Sequence, residues 1–139
     1  MKLLDANVCL RYLLQNNMEQ ANASKVLFDR LAAGQESVFV SEGVVAEVVY
    51  VLTSRRLYGV PRAEAAGKVA ALLGPQAIRL HAKAVCLRGL EVFAERSFVD
   101  FADALLVAYA ESEPESLVYS FDHGFDRVEG LTRVEPVAR

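Results

Sequence analysis

Four carboxylates in this 139-residue chain sit where an acid needs a reason: Asp5, Glu47, Asp103 and Asp122. Asp5 closes the short apolar stretch Leu3-Leu4, and Asp122 closes Leu117 to Phe121. Each stretch reads as a buried strand, and in a parallel sheet the carboxyl ends of the strands share one edge, where ligands bind. Asp103 lies in the first turn of a helix whose following residues, Ala104 to Tyr109, are apolar all round and are expected to be buried. Glu47 lies in the apolar stretch Val44 to Leu52, with no Lys or Arg within one helical turn. Each acid also has a plainer reading. Asp5 can cap the next helix, Asp103 can complete a capping box with Asp100, Asp122 can shape a turn before His123-Gly124, and Glu47 can lie on an exposed helix edge. One arrangement accounts for all four. They converge, and a divalent cation supplies the missing positive charge. An all-oxygen donor set selects Mg²⁺ or Mn²⁺ over zinc or copper.

The elements that must position these acids alternate. Leu3-Leu4 is a short strand, Val8 to Leu14 a helix broken by Gln15-Asn16-Asn17, and Glu19 to Ala33 a helix with Ala23, Val26, Leu27 and Leu31 on one face, stopped by Gly34. Ser37 to Val40 is a strand, and Ser41 caps a long apolar helix running to about Tyr58. After the Gly59-Val60-Pro61 turn come a helix over Arg62 to Leu73, a strand over Ala77 to Leu80 and a helix over Ala82 to Glu95. Asp100 caps a helix over Phe101 to Glu111, and strands follow at Leu117 to Phe121 and Thr132 to Glu135. The alternation predicts one α/β domain over residues 1–139, a three-layer α/β/α sandwich around a central, mostly parallel sheet.

Composition narrows the function. Hydrophobic residues make up 53% and charged residues 24%, which fits a folded domain and excludes a disordered tail. Mean hydropathy is +0.22, yet no apolar run approaches the ~18 residues a membrane span needs. The N-terminus lacks a basic region leading into a long apolar core, so no signal peptide is expected. A net charge of −3 argues against indiscriminate coating of nucleic acid but leaves room for nucleic-acid chemistry at a local site. Cys9 and Cys86 sit in apolar stretches, as buried free thiols do, which leads us to expect a cytoplasmic protein. There is no Gly-rich phosphate loop and no Gly-x-Ser-x-Gly elbow, and His81 and His123 lack zinc-ligand spacing to the cysteines.

The ordered set Leu4-Asp5-Ala6-Asn7, Ser41 with Glu47, Asp100-Phe101-Ala102-Asp103-Ala104-Leu105-Leu106 and Ser120-Phe121-Asp122 resembles the PIN-domain family. Within it, the chain is most similar to single-domain VapC-type toxins of prokaryotic toxin–antitoxin pairs. The resemblance implies a metal-dependent ribonuclease with Asp5, Glu47, Asp103 and Asp122 as metal-binding and catalytic acids. Asp100 is then a neighbouring, capping acid, and Asn7 and Ser120 are supporting polar groups. Ser120 stands where the family often has Thr. The family also often has an acid two residues after the Asp122 position, where this chain has Gly124, with Asp126 offset. Glu42 competes with Glu47 but falls in the first turn of its helix, where an acid needs no special explanation. The resemblance further implies a homodimer, a cognate antitoxin that occludes the site, and an RNA substrate. Arg11, Arg55, Arg56, Arg62 and Arg127 are candidate rim contacts for that RNA. The competing readings are a PIN-like module that binds RNA or a partner with little catalysis, and an acid-centred phosphatase of the haloacid-dehalogenase type. The latter would want an Asp at position 7, where this chain has Asn7.

Overall fold

The computed structural model describes residues 1–138. It is a mixed α/β fold of six helices and short parallel strands. Helices α1 (Ala6–Leu14) and α2 (Met18–Ala32) are followed by β1 (Val38–Val40), α3 (Glu42–Thr53), α4 (Arg62–Leu73), β2 (Ile78–Leu80), α5 (Lys83–Glu95), α6 (Phe101–Ser112), β3 (Leu117–Tyr119), a 3₁₀ helix over His123–Arg127, and β4 (Thr132–Val134). One core runs through the helical part. Leu31 of α2, Leu52 of α3, Leu73 of α4, Ile78 of β2 and Leu90 of α5 are all fully buried in it.

Three of the six α-helices start on capping chemistry. The Ser41 hydroxyl accepts from the Val44 N–H at 3.2 Å, Asn17 Oδ1 from the Gln20 N–H at 3.1 Å, and Asp100 Oδ1 from the Asp103 N–H at 2.8 Å. Helix α3 stops at Thr53, five residues short of the expected end at Tyr58. The chain turns instead, with the Leu57 and Gly59 N–H groups both donating to the Ser54 carbonyl and Gly59 at φ +57°. Helix α2 buries Ala21, Ser24, Phe28 and Leu31. Ala23 and Val26, expected on its inner face, are exposed. Phe28 takes that place because its ring stacks obliquely on Tyr12 of α1, 4.6 Å between centroids.

Two half-buried cations tie the helical part together, and neither forms an ion pair among the described residues. Arg62, at the start of α4, lies across the Phe93 ring at 3.7 Å. It donates to the carbonyls of Phe93 (3.0 and 3.1 Å), Arg96 (2.9 Å) and Val99. The Lys83 ammonium donates to the Pro75 and Ile78 carbonyls, both at 2.9 Å. These contacts satisfy carbonyls at the ends of α5 and α4, where helices leave acceptors unpaired. Arg62 also fixes the connection that delivers Asp100 to the start of α6.

The strands do not form the single central sheet that the sequence predicts. Lys2 to Leu4 runs parallel to β1, with Leu3 opposite Phe39, and β1 pairs in parallel with β2. Strand β3 pairs in parallel with β4 alone. Among the described residues there are therefore two small parallel sheets, β1–β2 with Lys2 to Leu4 bridged alongside β1, and β3–β4. The second is anchored to its own turn. The Ser120 N–H donates to the Val134 carbonyl at 3.0 Å, and Arg133 reaches both Ser120 O and Asp126 at 2.9 Å. The free edges of the two sheets remain uncovered, with Leu3 and Tyr119 each 69% exposed.

Candidate metal centre

Asp100 and Asp103 open α6, the helix that Arg62 holds in place from behind. Asp100 caps the helix, as the sequence indicates, and Asp103 is half-buried one turn in. The Asp103 carboxyl is held above the usual carboxylate range, first by burial and then by the negative charges of Asp100 and Asp122. Three acids from two separate stretches therefore feel one another electrostatically. Arg62 feels the charge of Asp100, while its donors are taken up by carbonyls. Helix α6 is not buried all round as expected, since Leu106 is 47% exposed on its outer side.

Asp122 does shape a turn. Its Oδ1 accepts from the Gly124 N–H at 2.8 Å, and its own N–H donates to the Ser120 hydroxyl at 2.9 Å. The Ser120 hydroxyl thus holds the Asp122 backbone, and the Gly124 N–H orients its side chain. A Cβ at position 124 would lie 3.1 Å from Asp122 Oδ1, so glycine suits this turn better than a second acid. Asp126, the offset acid, pairs with Arg133 at 2.9 Å and with His123 at 3.3 Å, which lowers its pKa and removes it from the candidates.

Asp5 occupies the N-cap position of α1, yet its side chain makes no capping hydrogen bond. The plain capping explanation for this acid therefore fails. Its charge is felt by the buried Cys9 thiol, pushed up to about 12 chiefly by burial and then by Asp5. Asn7 is exposed and borders a groove of about 400 Å³ with Val8, Arg11, Gln20, Ala23 and Ser24.

Glu47 is exposed, which corrects the expectation of a buried carboxylate in need of a partner. The buried stripe of α3 is Val45, Val48, Val49 and Leu52, and Glu47 falls outside it. It follows Ala46, which lines a hollow of about 140 Å³ together with Tyr50, Arg62, Asp100 and Phe101. Glu42 is the acid that α3 points inward. It is half-buried and accepts from the Tyr109 hydroxyl of α6, which raises the tyrosine pKa. This corrects the reading of Glu42 as an unremarkable first-turn acid. Nothing local in the sequence signals a contact across 67 positions.

Among the described residues, no three Asp, Glu, His or Cys side chains lie close enough together to hold one metal ion. The donor chemistry still fits a hard dication: every candidate is a carboxylate, like charges crowd Asp103, and Asp5 has no structural hydrogen bond. Both cysteines are buried free thiols, as expected, and Cys86 is raised to about 11 by burial and then by Glu42. Neither thiol is a plausible metal ligand in that state.

Residues 2–131 match the PIN domain family. The chain belongs to that family. PIN domains are generally nucleases, and they typically use divalent metals. No curated protein matches the chain. Among the described residues of the PIN domain, no helix is long and apolar enough to cross a membrane.

Proposed function

We propose that this PIN domain is a metal-dependent endoribonuclease and the toxin component of a toxin–antitoxin pair, acting in the cytoplasm as a homodimer. The observation that supports the reading is that half-buried Asp103 feels the negative charges of Asp100 and Asp122 and forms no ion pair among the described residues. Asp5, Glu47, Asp103 and Asp122 would hold Mg²⁺ or Mn²⁺, with Asp100 fixing the helix start and Asn7 and Ser120 supporting. A dication bound there lowers the pKa of an attacking water and stabilises charge on the phosphate and the leaving oxygen. The chain's own contribution is orientation. Asp100 sets the first turn of α6 and so the direction of Asp103, and Ser120 and the Gly124 N–H set Asp122.

Without a cation, these acids repel an RNA backbone. Incubating the purified protein with single-stranded RNA and Mn²⁺ should give cleavage that EDTA abolishes. Asp103→Asn should lower the rate by about 10³-fold, a loss of about 4 kcal/mol of transition-state stabilisation. Near-normal, metal-dependent cleavage by that variant would overturn the assignment.

A second reading, a PIN-like module that binds RNA or a partner with little catalysis, is favoured by one observation: Asp5 and Glu47 are exposed and not gathered with Asp103 into a single three-ligand group. RNA binding in EDTA without cleavage in Mn²⁺ would select it.

A further inference from the structure

Away from the carboxylates, one region holds positive charge that nothing in the fold neutralises. Arg11 of α1 is half-buried and fixed by two neutral amides: its Nε donates to Gln20 Oε1 at 2.7 Å and its Nη1 to Asn16 Oδ1 at 2.8 Å. An arginine kept for structure is normally paired with a carboxylate or takes up several carbonyls, as Arg62 does here. Arg11 does neither. The same Asn16 donates through Nδ2 to the Tyr58 hydroxyl at 2.8 Å, so one side chain bridges Arg11 to the turn after α3. That turn carries Arg55 and Arg56, both exposed, and the ring of Tyr58, 47% exposed. No ion pair among the described residues includes Arg11, Arg55 or Arg56. The stretch from Val48 to Ala63 holds Arg55, Arg56 and Arg62 and no acid, in a chain whose net charge is −3.

We propose that Arg11, Arg55, Arg56 and Tyr58 form a contact surface for single-stranded RNA, with phosphates on the guanidinium groups and a base stacked on the tyrosine ring. This assignment takes its substrate from the nuclease reading above. A fixed guanidinium, two further exposed arginines and an exposed aromatic ring make up the combination that tracks a single strand. The amides of Asn16 and Gln20 hold Arg11 in position without cancelling its charge. The groove lined by Asn7, Val8, Arg11 and Gln20 runs along α1 from the Asp5 end. Arg11 lies six residues beyond Asp5, roughly 9 Å along the helix axis. A strand bound at the arginines is thereby led towards the acids. An acidic polypeptide also seeks arginines, but it has no use for an exposed ring bridged to them by an amide.

The test uses the full chain carrying Asp103→Asn, so that RNA is not consumed, and a labelled single-stranded RNA followed by fluorescence anisotropy from 50 to 200 mM salt. Adding Arg55→Gln and Arg56→Gln should weaken binding about tenfold. It should also flatten the slope of log affinity against log salt by about 1.4, two phosphate contacts at about 0.7 each. Tyr58→Ala should weaken binding severalfold with little change in slope, and the melting temperature of the Arg55/Arg56 variant should match its parent. Unchanged affinity and slope would overturn the proposal. Displacement of the RNA by polyglutamate at equal concentration would assign the surface to an acidic protein and overturn it as well. The two readings fail separately. RNA bound through these residues by a protein that cleaves nothing in Mn²⁺ would refute the nuclease and leave the surface standing. Cleavage and binding that ignore the arginine substitutions would do the reverse.

Discussion

The end of the molecule built by α4 and α5 and the edge that carries the acids treat charge in opposite ways. At the first, Arg62 and Lys83 are drawn inward until each donates to three backbone carbonyls. Burial lowers the pKa of both, so the fold tolerates that cost in exchange for satisfied helix ends. At the second, Asp103 is half-buried beside two like charges and no cation faces it. A carboxyl with a raised pKa binds its proton more tightly in the folded state. The fold loses that increment of stability as pH rises from the unfolded pKa through the folded one, and at neutral pH Asp103 is a net burden. A region that only had to be stable would not keep it.

Breaking the inward cation should therefore damage stability rather than chemistry. Arg62→Met leaves three carbonyls short of a donor and removes the stacking on Phe93. We expect a loss of roughly 3 kcal/mol, read from urea unfolding. A loss below ~0.5 kcal/mol would erase the contrast between the two regions.

Balancing the acids should do the opposite and stabilise the fold. Mn²⁺ at about 100 times its dissociation constant should add about 2.7 kcal/mol to the wild-type protein, seen as a raised melting temperature. The increment should largely vanish in Asp103→Asn, and an equal increment in both proteins would detach the metal from this site.

The smallest expected effect serves as a control for ordinary surface charge. Arg88 pairs with Glu111 at 2.8 Å and lowers its pKa, chiefly through their hydrogen bond. The stabilisation is present above the unfolded glutamate pKa near 4.3 and is lost as pH falls through the folded value. Glu111 is 43% exposed at its side chain, so the contribution is under about 0.5 kcal/mol. Arg88→Met should remove this small acid-limb slope in a stability-against-pH series and change nothing at the carboxylate edge.

What the sequence made legible was whatever short-range chemistry decides. The α4 bounds, the Ser41 and Asp100 caps and the two buried thiols follow from residues within a few positions of one another. What it hid was decided at long range. The contact of Glu42 with Tyr109 and the reach of Arg62 to the Val99 carbonyl depend on how helices dock, which no local pattern states. The end of α3 is hidden because Arg55 to Tyr58 are all acceptable in a helix, whereas the turn is fixed by hydrogen bonds to Ser54. The division into two sheets was hidden for a related reason. Three-residue strands carry too little pattern to name their neighbours, and Arg133 ties the second sheet to its own loop. For the site, acid positions were readable, but which acids feel one another was not.

Gly89 of α5 has a consequence for how such a domain can drift or be redesigned. A methyl group there would stand 3.0 Å from the end of Leu105 and 3.6 Å from its Cα, on the helix that begins with Asp100 and Asp103. A single added carbon would press on the Leu105 side chain, which would have to give by a few tenths of an ångström. Bulk alone at position 89, with no new polar contact, would thus be felt first where α5 packs on α6.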